Sequence, residues 1–233
     1  MDLIIRPEVF ARFPGMRVVV VVADGIDNLV DRPRIATAWE TAWSAAKDAA
    51  VFGNAQSHPH VAPWRDRFWA MGVSPKQYPS SVEALLRRAL KGGDPFRINP
   101  MVDFYNAVSL RYVVPAGGFD LDQIGQDLDL RLTHEGDRFL ALDASEPEAI
   151  PPGEVAYADG PTVLTRHFVW RQSRQGLITP STRSVLLLSE VLPETGAGVA
   201  DAVLAELAAG LLDSFGAPVL TFILHEASST ASW

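Results

Sequence analysis

The chain contains no cysteine. This excludes disulfides, thiolate metal sites, iron–sulfur clusters and a cysteine nucleophile together. Cations are also few: 20 Lys+Arg stand against 28 Asp+Glu, for a formal net charge of -8. A broad basic nucleic-acid face or a polybasic membrane binder is not expected from such a balance, so an anionic partner would need a local basic patch. Long apolar runs are missing too. The longest near the start, Val18 to Ala23, is strand-sized and far short of a bilayer span. Asp2, Arg6, Glu8 and Arg12 interrupt the first residues, which do not read as a secretory signal. The expected location is cytoplasmic, with no membrane partner. The phosphate-loop, nucleophile-elbow, zinc-helix and dinucleotide-binding motifs are absent, and no cofactor or metal is expected.

What remains is ordinary globular material: 233 residues, 48% hydrophobic and 21% charged. Arg17–Ala23 reads as a strand buried on both faces. Arg34–Ala50 places Ile35, Trp39 and Trp43 at helical spacing. Ser80-Ser-Val-Glu83 has the form of a capping box, and Asn99-Pro100 that of a helix start for Pro100–Tyr112. Strands are expected at Leu128–Thr133, Arg138–Leu142, Val155–Ala158, Val163–Val169, Ser184–Leu188 and Pro218–Leu224. An Ala/Leu helix is expected at Gly198–Phe215. The order argues for an α+β fold, a mixed β-sheet packed with helices in two lobes of one domain, with residues 227–233 as a mobile tail. A doubly wound fold fits less well, because too many strands follow one another.

Three groups of residues could carry chemistry. Gly160 to Ser189 contains no Asp or Glu but holds Arg166, His167, Arg171, Arg174 and Arg183, whereas Asp120 to Asp159 carries eleven acidic residues. If Val163–Gln172 is one extended strand, Thr165, His167 and Arg171 share a face, and Arg166, Trp170 and Gln172 share the other. Arginine beside an aromatic suits a carboxylate, phosphate or nucleobase. The plainer alternative is a strand whose arginines pair with the acidic segment. The second group is the helix Pro100–Leu110, where Asp103, Asn106 and Ser109 recur every three residues. A mid-helix Asn calls for a specific partner, inside the fold or in a ligand. The third is Gly117-Gly118, read as a permissive turn with bare N–H groups for an anion or carbonyl. An ordinary tight turn explains it equally. His58 and His60, in an HPH loop, read as solvated rather than as a metal pair.

The run Asn99-Pro-Met-Val-Asp-Phe-Tyr-Asn-Ala-Val-Ser-Leu110, then Gly117-Gly-Phe-Asp-Leu-Asp122, resembles the B3/B4 domain of the bacterial phenylalanyl-tRNA synthetase beta subunit. Leu142-Asp143-Ala144 is similar to that domain's L-D-G, and Thr182-Arg-Ser-Val-Leu186 to its T-x-N-V-L. Trp170-Arg171-Gln172 and Tyr105-Asn-Ala-Val-Ser-Leu110 look still more like the stand-alone B3/B4 proteins. The resemblance spans roughly Val18 to Gly216 and implies residues 1–226 as one B3/B4-like domain. In the synthetase the module edits mischarged tRNA by attack of water on an aminoacyl ester. The resemblance implies a pocket including Tyr105, Asn106, Gly117, Ala144 and the strand Thr165–His167. Tyr105, Gly117 and Ala144 replace the synthetase's Thr, His and Gly, which implies a different substrate.

The function expected is thus a tRNA-editing-like module that binds an aminoacyl or tRNA 3′ end and hydrolyses a mischarged ester. The partner is tRNA or aminoacyl-tRNA, or a small amino-acid-like ligand. Two alternatives stand beside it: a non-catalytic binder of an amino acid, RNA or small anion, and a metabolite hydrolase on the same scaffold. The expected roles are His167 as general base, with Asn106 orienting the ligand. Gly117 and Gly118 would approach a carbonyl or carboxylate, Arg166 or Arg171 would pair with an anion, and Trp170 would pack a ring. Tyr105, Ala144, Thr165 and Gln172 complete the candidate site.

Overall fold

The uninterrupted β-branched run Arg17–Ala23 becomes the centre of a sheet because it can be covered on both faces. The computed structural model describes residues 1–233. In chain order its strands are β1 (Asp2–Ile5), β2 (Arg17–Ala23), β3 (Ala116–Asp120), β4 (Leu128–Leu132), β5 (Arg138–Phe139), β6 (Glu148–Ala149), β7 (Val155–Asp159), β8 (Thr162–Val163), β9 (Thr165–Arg166), β10 (Arg171–Gln172), β11 (Val185–Val191), β12 (Val219–Leu224) and β13 (Thr230–Ser232). The helices are α1 (Pro7–Arg12), α2 (Pro33–Ala45), α3 (Ala62–Ala70), α4 (Ser81–Leu90), α5 (Pro100–Tyr112) and α6 (Val199–Phe215). The α+β expectation holds.

Two sheets face each other. The smaller has the order β12-β2-β11-β3 and is antiparallel throughout. The larger has the order β13-β1-β4-β7-β8-β5-β6, with parallel pairs at β1–β4 and β5–β8. Alternation sorts the small sheet's side chains. Val18, Val20, Val22, Leu186, Leu188 and Phe119 pack towards Leu3, Ile5, Leu128, Leu130, Val155 and Tyr157 of the large sheet. Val19, Val21, Val185 and Leu187 pack on the opposite side against α5 and α6. A third cluster joins Trp39 and Trp43 of α2 to Val82 and Leu86 of α4 and Ala107 of α5. Helix α5 is therefore clamped between a sheet and two helices, which explains why so little of it is exposed.

The start of α5 is fixed as the Asn-Pro signal predicts. The Asn99 side chain accepts from Val102 N–H at 3.0 Å, and Pro100 takes the first helical position. Asn28 reinforces it from a distance: its Oδ1 accepts from Met101 N–H at 2.9 Å, and its amide donates to Asn99 Oδ1 at 3.1 Å. The Ser80 box is only half formed. Ser80 Oγ accepts from Glu83 N–H at 3.3 Å, but the buried Glu83 carboxylate is taken by Arg65 and Arg87.

Several expectations are corrected. Residues 227–233 are not a loose tail: β13 pairs with β1, and the Met1 ammonium donates to Trp233 C=O at 2.6 Å. The helix begun at Arg34 tightens to a 3-10 form at Ala46–Phe52. Val163–Gln172 is not one strand. His167 and Phe168 take left-handed backbone angles (φ 45° and 62°), which fold the segment into the β9–β10 hairpin and send Phe168 into the core. Gly117 and Gly118 are not a turn but the extended middle of β3, paired with Leu188 and Leu187. His58 is not solvated: it is 8% exposed and packs on Phe52, with burial first and the neighbouring His60 second holding its pKa down to about 4.

Candidate functional site

The two sheets part at the free edge of β3, and a cavity of about 270 Å³ opens there. Helix α5 forms one wall, the β9–β10 hairpin another, and β3 with β11 the floor. Phe96, Ile98, Val102, Phe119, Leu188 and Phe168 make most of the lining apolar. Of the residues expected at a site, Tyr105, Asn106, Gly117, Gly118, Thr165, Trp170, Arg171 and Gln172 all line this one cavity.

The two glycines do different things. A Cβ on Gly118 would lie 2.7 Å from Leu186 C=O and 2.7 Å from Leu187 Cδ2, so close packing requires glycine there. A Cβ on Gly117 would meet nothing within 4 Å. By the alternation of the strand it would point into the cavity, so Gly117 is what leaves this space open. β3 is an edge strand, and Asp120 N–H turns away from β11 to donate to Gly176 C=O at 2.9 Å. The residue two before it presents its backbone the same way. Gly118 C=O accepts from Gln172 Nε2 at 3.0 Å, tying the hairpin to the strand edge.

Asn106 is the polar group with most capacity left. Asp103 and Ser109, its companions on α5, are satisfied internally: Asp103 accepts from Ile98 N–H and Arg97, and Ser109 donates to Val114 C=O at 2.6 Å. The Asn106 amide makes no hydrogen bond within the protein and lines the cavity. Thr165 Oγ1 accepts from Tyr157 N–H at 3.1 Å, which leaves its hydroxyl proton available. Tyr105 is buried, and burial, with Asp103 adding to it, raises its pKa, so it acts as a neutral wall.

Of the remaining candidates, Arg166, Ala144 and His167 are not part of the cavity lining. Arg166 is held by Glu154 at 2.8 Å and Glu148 at 3.0 Å. Arg171 lines the cavity mouth but pairs with Asp143 at 2.7 Å. Both arginines are thus neutralised by the acidic segment, as the plainer alternative anticipated. Ala144, next to Asp143, does not reach the lining. His167 stacks on Tyr78 with ring centroids 4.0 Å apart, and its Nδ1 lies 3.4 Å from Glu154. Both ring nitrogens are buried without a hydrogen-bond partner, and burial outweighs Glu154 to lower its pKa. The imidazole supports Trp170 from behind rather than facing the cavity, so its expected role as general base finds no geometry here.

Sequence reading missed the one buried carboxyl on the cavity floor. Glu190 on β11 is 4% exposed, and Tyr157 of β7 donates its hydroxyl to Oε1 at 2.7 Å. Burial pushes the Glu190 pKa up to about 7, against the opposing pull of Tyr157 and of its own backbone N–H. Burial and the adjacent carboxylate raise Tyr157 well above its ordinary value, so it stays a donor. The signal was present: a Glu two residues beyond Leu188 in an apolar strand shares the face of Leu186 and Leu188. Ending the strand at Leu188 hid it.

The family model described as the B3/4 domain matches residues 63–198, more than half of the chain and most of the cavity wall. The chain belongs to the B3/4 domain family. The B3/4 match includes α5, β3, the β9–β10 hairpin and β11, the elements that enclose the cavity. A solved N-terminal fragment of the phenylalanyl-tRNA synthetase beta-subunit from Pyrococcus horikoshii aligns with 95% of this B3/4 chain at 11% identity and a TM-score of 0.46. The chain spans about half of that fragment, 53% of its length. No curated protein matches the sequence.

Proposed function

We propose that the cavity receives the aminoacyl end of a tRNA and that the ester is hydrolysed there. The observation that carries this reading is the Asn106 amide. It lines an apolar B3/4 cavity with its donor and acceptor capacity unspent. Water attack on an aminoacyl ester needs little more than alignment and donors for the oxygen that gains charge. Asn106 Nδ2, the Thr165 hydroxyl and the outward N–H of Gly118 are the donors at hand. The apolar walls would take an uncharged side chain. Water adds its oxygen to the carbonyl carbon, the ribose oxygen leaves with a proton, and free amino acid and tRNA result.

No protein imidazole takes part in this scheme, because His167 is committed to Tyr78 and Trp170. The tRNA body would contribute few phosphate contacts, since Arg166 and Arg171 already have acidic partners. This favours recognition of the terminal nucleotide and its amino acid over recognition of the whole tRNA. Incubation with a panel of misacylated tRNAs tests the reading. Loss of one or more amino acids above the spontaneous rate is expected. Ester loss at the spontaneous rate throughout overturns it.

A further inference from the structure

Glu190 has no role in the scheme above, yet its position is costly to maintain. A carboxyl on a central strand between two sheets loses its hydration, and a well-packed apolar residue would avoid that cost. Tyr157 supplies one hydrogen bond from the opposite sheet. No cation compensates the charge: Glu190 forms no ion pair, and no charged neighbour contributes to its pKa shift. The other charged residue lining the cavity, Arg171, is engaged with Asp143. The cavity floor thus holds a carboxyl with a hydrogen-bond donor on one side and no counter-ion.

We propose that Glu190, held in place by Tyr157, is the docking carboxylate for a primary ammonium group, so that the cavity selects ligands carrying an unmodified amine. This deepens the reading of an aminoacyl ester ligand and rests on it for the orientation. The α-ammonium descends to Glu190, the apolar side chain lies against Phe119 and Leu188, and the ester carbonyl stays near Asn106. A primary ammonium has three donors on a compact charge and suits a carboxylate whose other partner is a single hydroxyl. The charge that the protein leaves unpaired is then completed by the ligand. An N-acylated or desamino ligand would leave the carboxyl buried against an apolar or uncharged group.

The test uses L-phenylalanine methyl ester, 2-phenylethylamine and methyl 3-phenylpropanoate, titrated into the full chain by ligand-observed NMR. The first two carry the ammonium and the third lacks it. The two amines are expected to bind at least about tenfold more tightly than the desamino ester, the range of a hydrogen bond to a charged group. Glu190→Gln keeps an acceptor for Tyr157 and is expected to bring that ratio close to one. Tyr157→Phe keeps the carboxyl but removes the bond that positions it, and is expected to leave a smaller preference that Glu190→Gln lacks. Equal binding of amine and desamino ligands by the native protein overturns the proposal, as does a preference unchanged in Glu190→Gln. On misacylated tRNA, hydrolysis that tolerates an N-acetylated amino acid overturns the ammonium site and leaves the deacylase reading intact. Amine-selective binding without hydrolysis does the reverse.

Discussion

The Tyr157 hydroxyl donates to Glu190 Oε1 at 2.7 Å, and the two residues come from different sheets. This one bond crosses the interface between the sheets at the floor of the cavity. It therefore links the electrostatics of the site to the stability of the fold.

The pH dependence of stability follows from it. Burial pushes the Glu190 pKa up to about 7 from its ordinary value of 4.5. Folding raises this pKa, so the native state keeps a proton that the unfolded chain has released. Stability should then fall as pH rises from about 4.5 to about 7, by on the order of 3 kcal/mol, and level off above. Glu190→Gln has nothing to titrate there. Denaturant unfolding of both proteins across that window should show the variant gaining on the native chain as pH rises. A constant difference between them would contradict the raised pKa.

The paired glycines should separate packing from pocket. Gly118→Ala forces a Cβ against Leu186 C=O and Leu187, and overpacking of this kind costs about 1–3 kcal/mol. Gly117→Leu projects into open cavity and should change stability little while abolishing ligand binding. Thermal unfolding and a ligand titration on both variants check this. A binding-competent Gly117→Leu protein would place the ligand elsewhere.

Asn106→Ala should lower ester hydrolysis by about a hundredfold, the scale of losing one oxyanion donor. Its amide holds nothing in the fold, so the melting temperature should stay close to native. Comparison of rate and melting temperature in one preparation decides the point. A large fall in stability would show Asn106 to be structural instead.

Glu83 provides the contrasting case of a carboxylate buried for stability. It is fully covered and bound by Arg65 at 2.8 Å and by Arg87. Glu83→Ala leaves both guanidinium groups without their partner, and because both keep some access to water it should cost about 1.5–3 kcal/mol. Denaturant unfolding measures it, and a cost below about 1 kcal/mol would mean that the pairs are merely superficial.

The fold was legible wherever a local signal coincided with burial. The run Val18–Ala23 and the Asn99-Pro100 start are each written in a few adjacent residues. The site was legible where short motifs carried it, and seven of the eight expected residues that line the cavity lie in such motifs. What stayed hidden depends on partners distant in sequence. Nothing near Arg166 announces that Glu154 and Glu148 will cover it, and nothing near His167 announces Tyr78. The hairpin bend at His167–Phe168 defeats alternation, because positive φ is rare at a bulky residue such as Phe168 and nothing in the local sequence announces it. Glu190 meets Tyr157 only because two sheets are stacked, a relation that no window along the chain contains. β1 and β13 went unread for a similar reason: each is short, and they define each other by pairing end to end.

The central claim is that this one cavity opens aminoacyl esters. The most direct measurement is the rate of amino-acid release from a panel of misacylated tRNAs, with the native chain and Gly117→Leu side by side at matched folded concentration. Release above the spontaneous rate is expected for the native chain on one or more esters, and spontaneous release alone once the Leu side chain fills the cavity. Spontaneous release with both proteins, or equal enzymatic release by both, would contradict it.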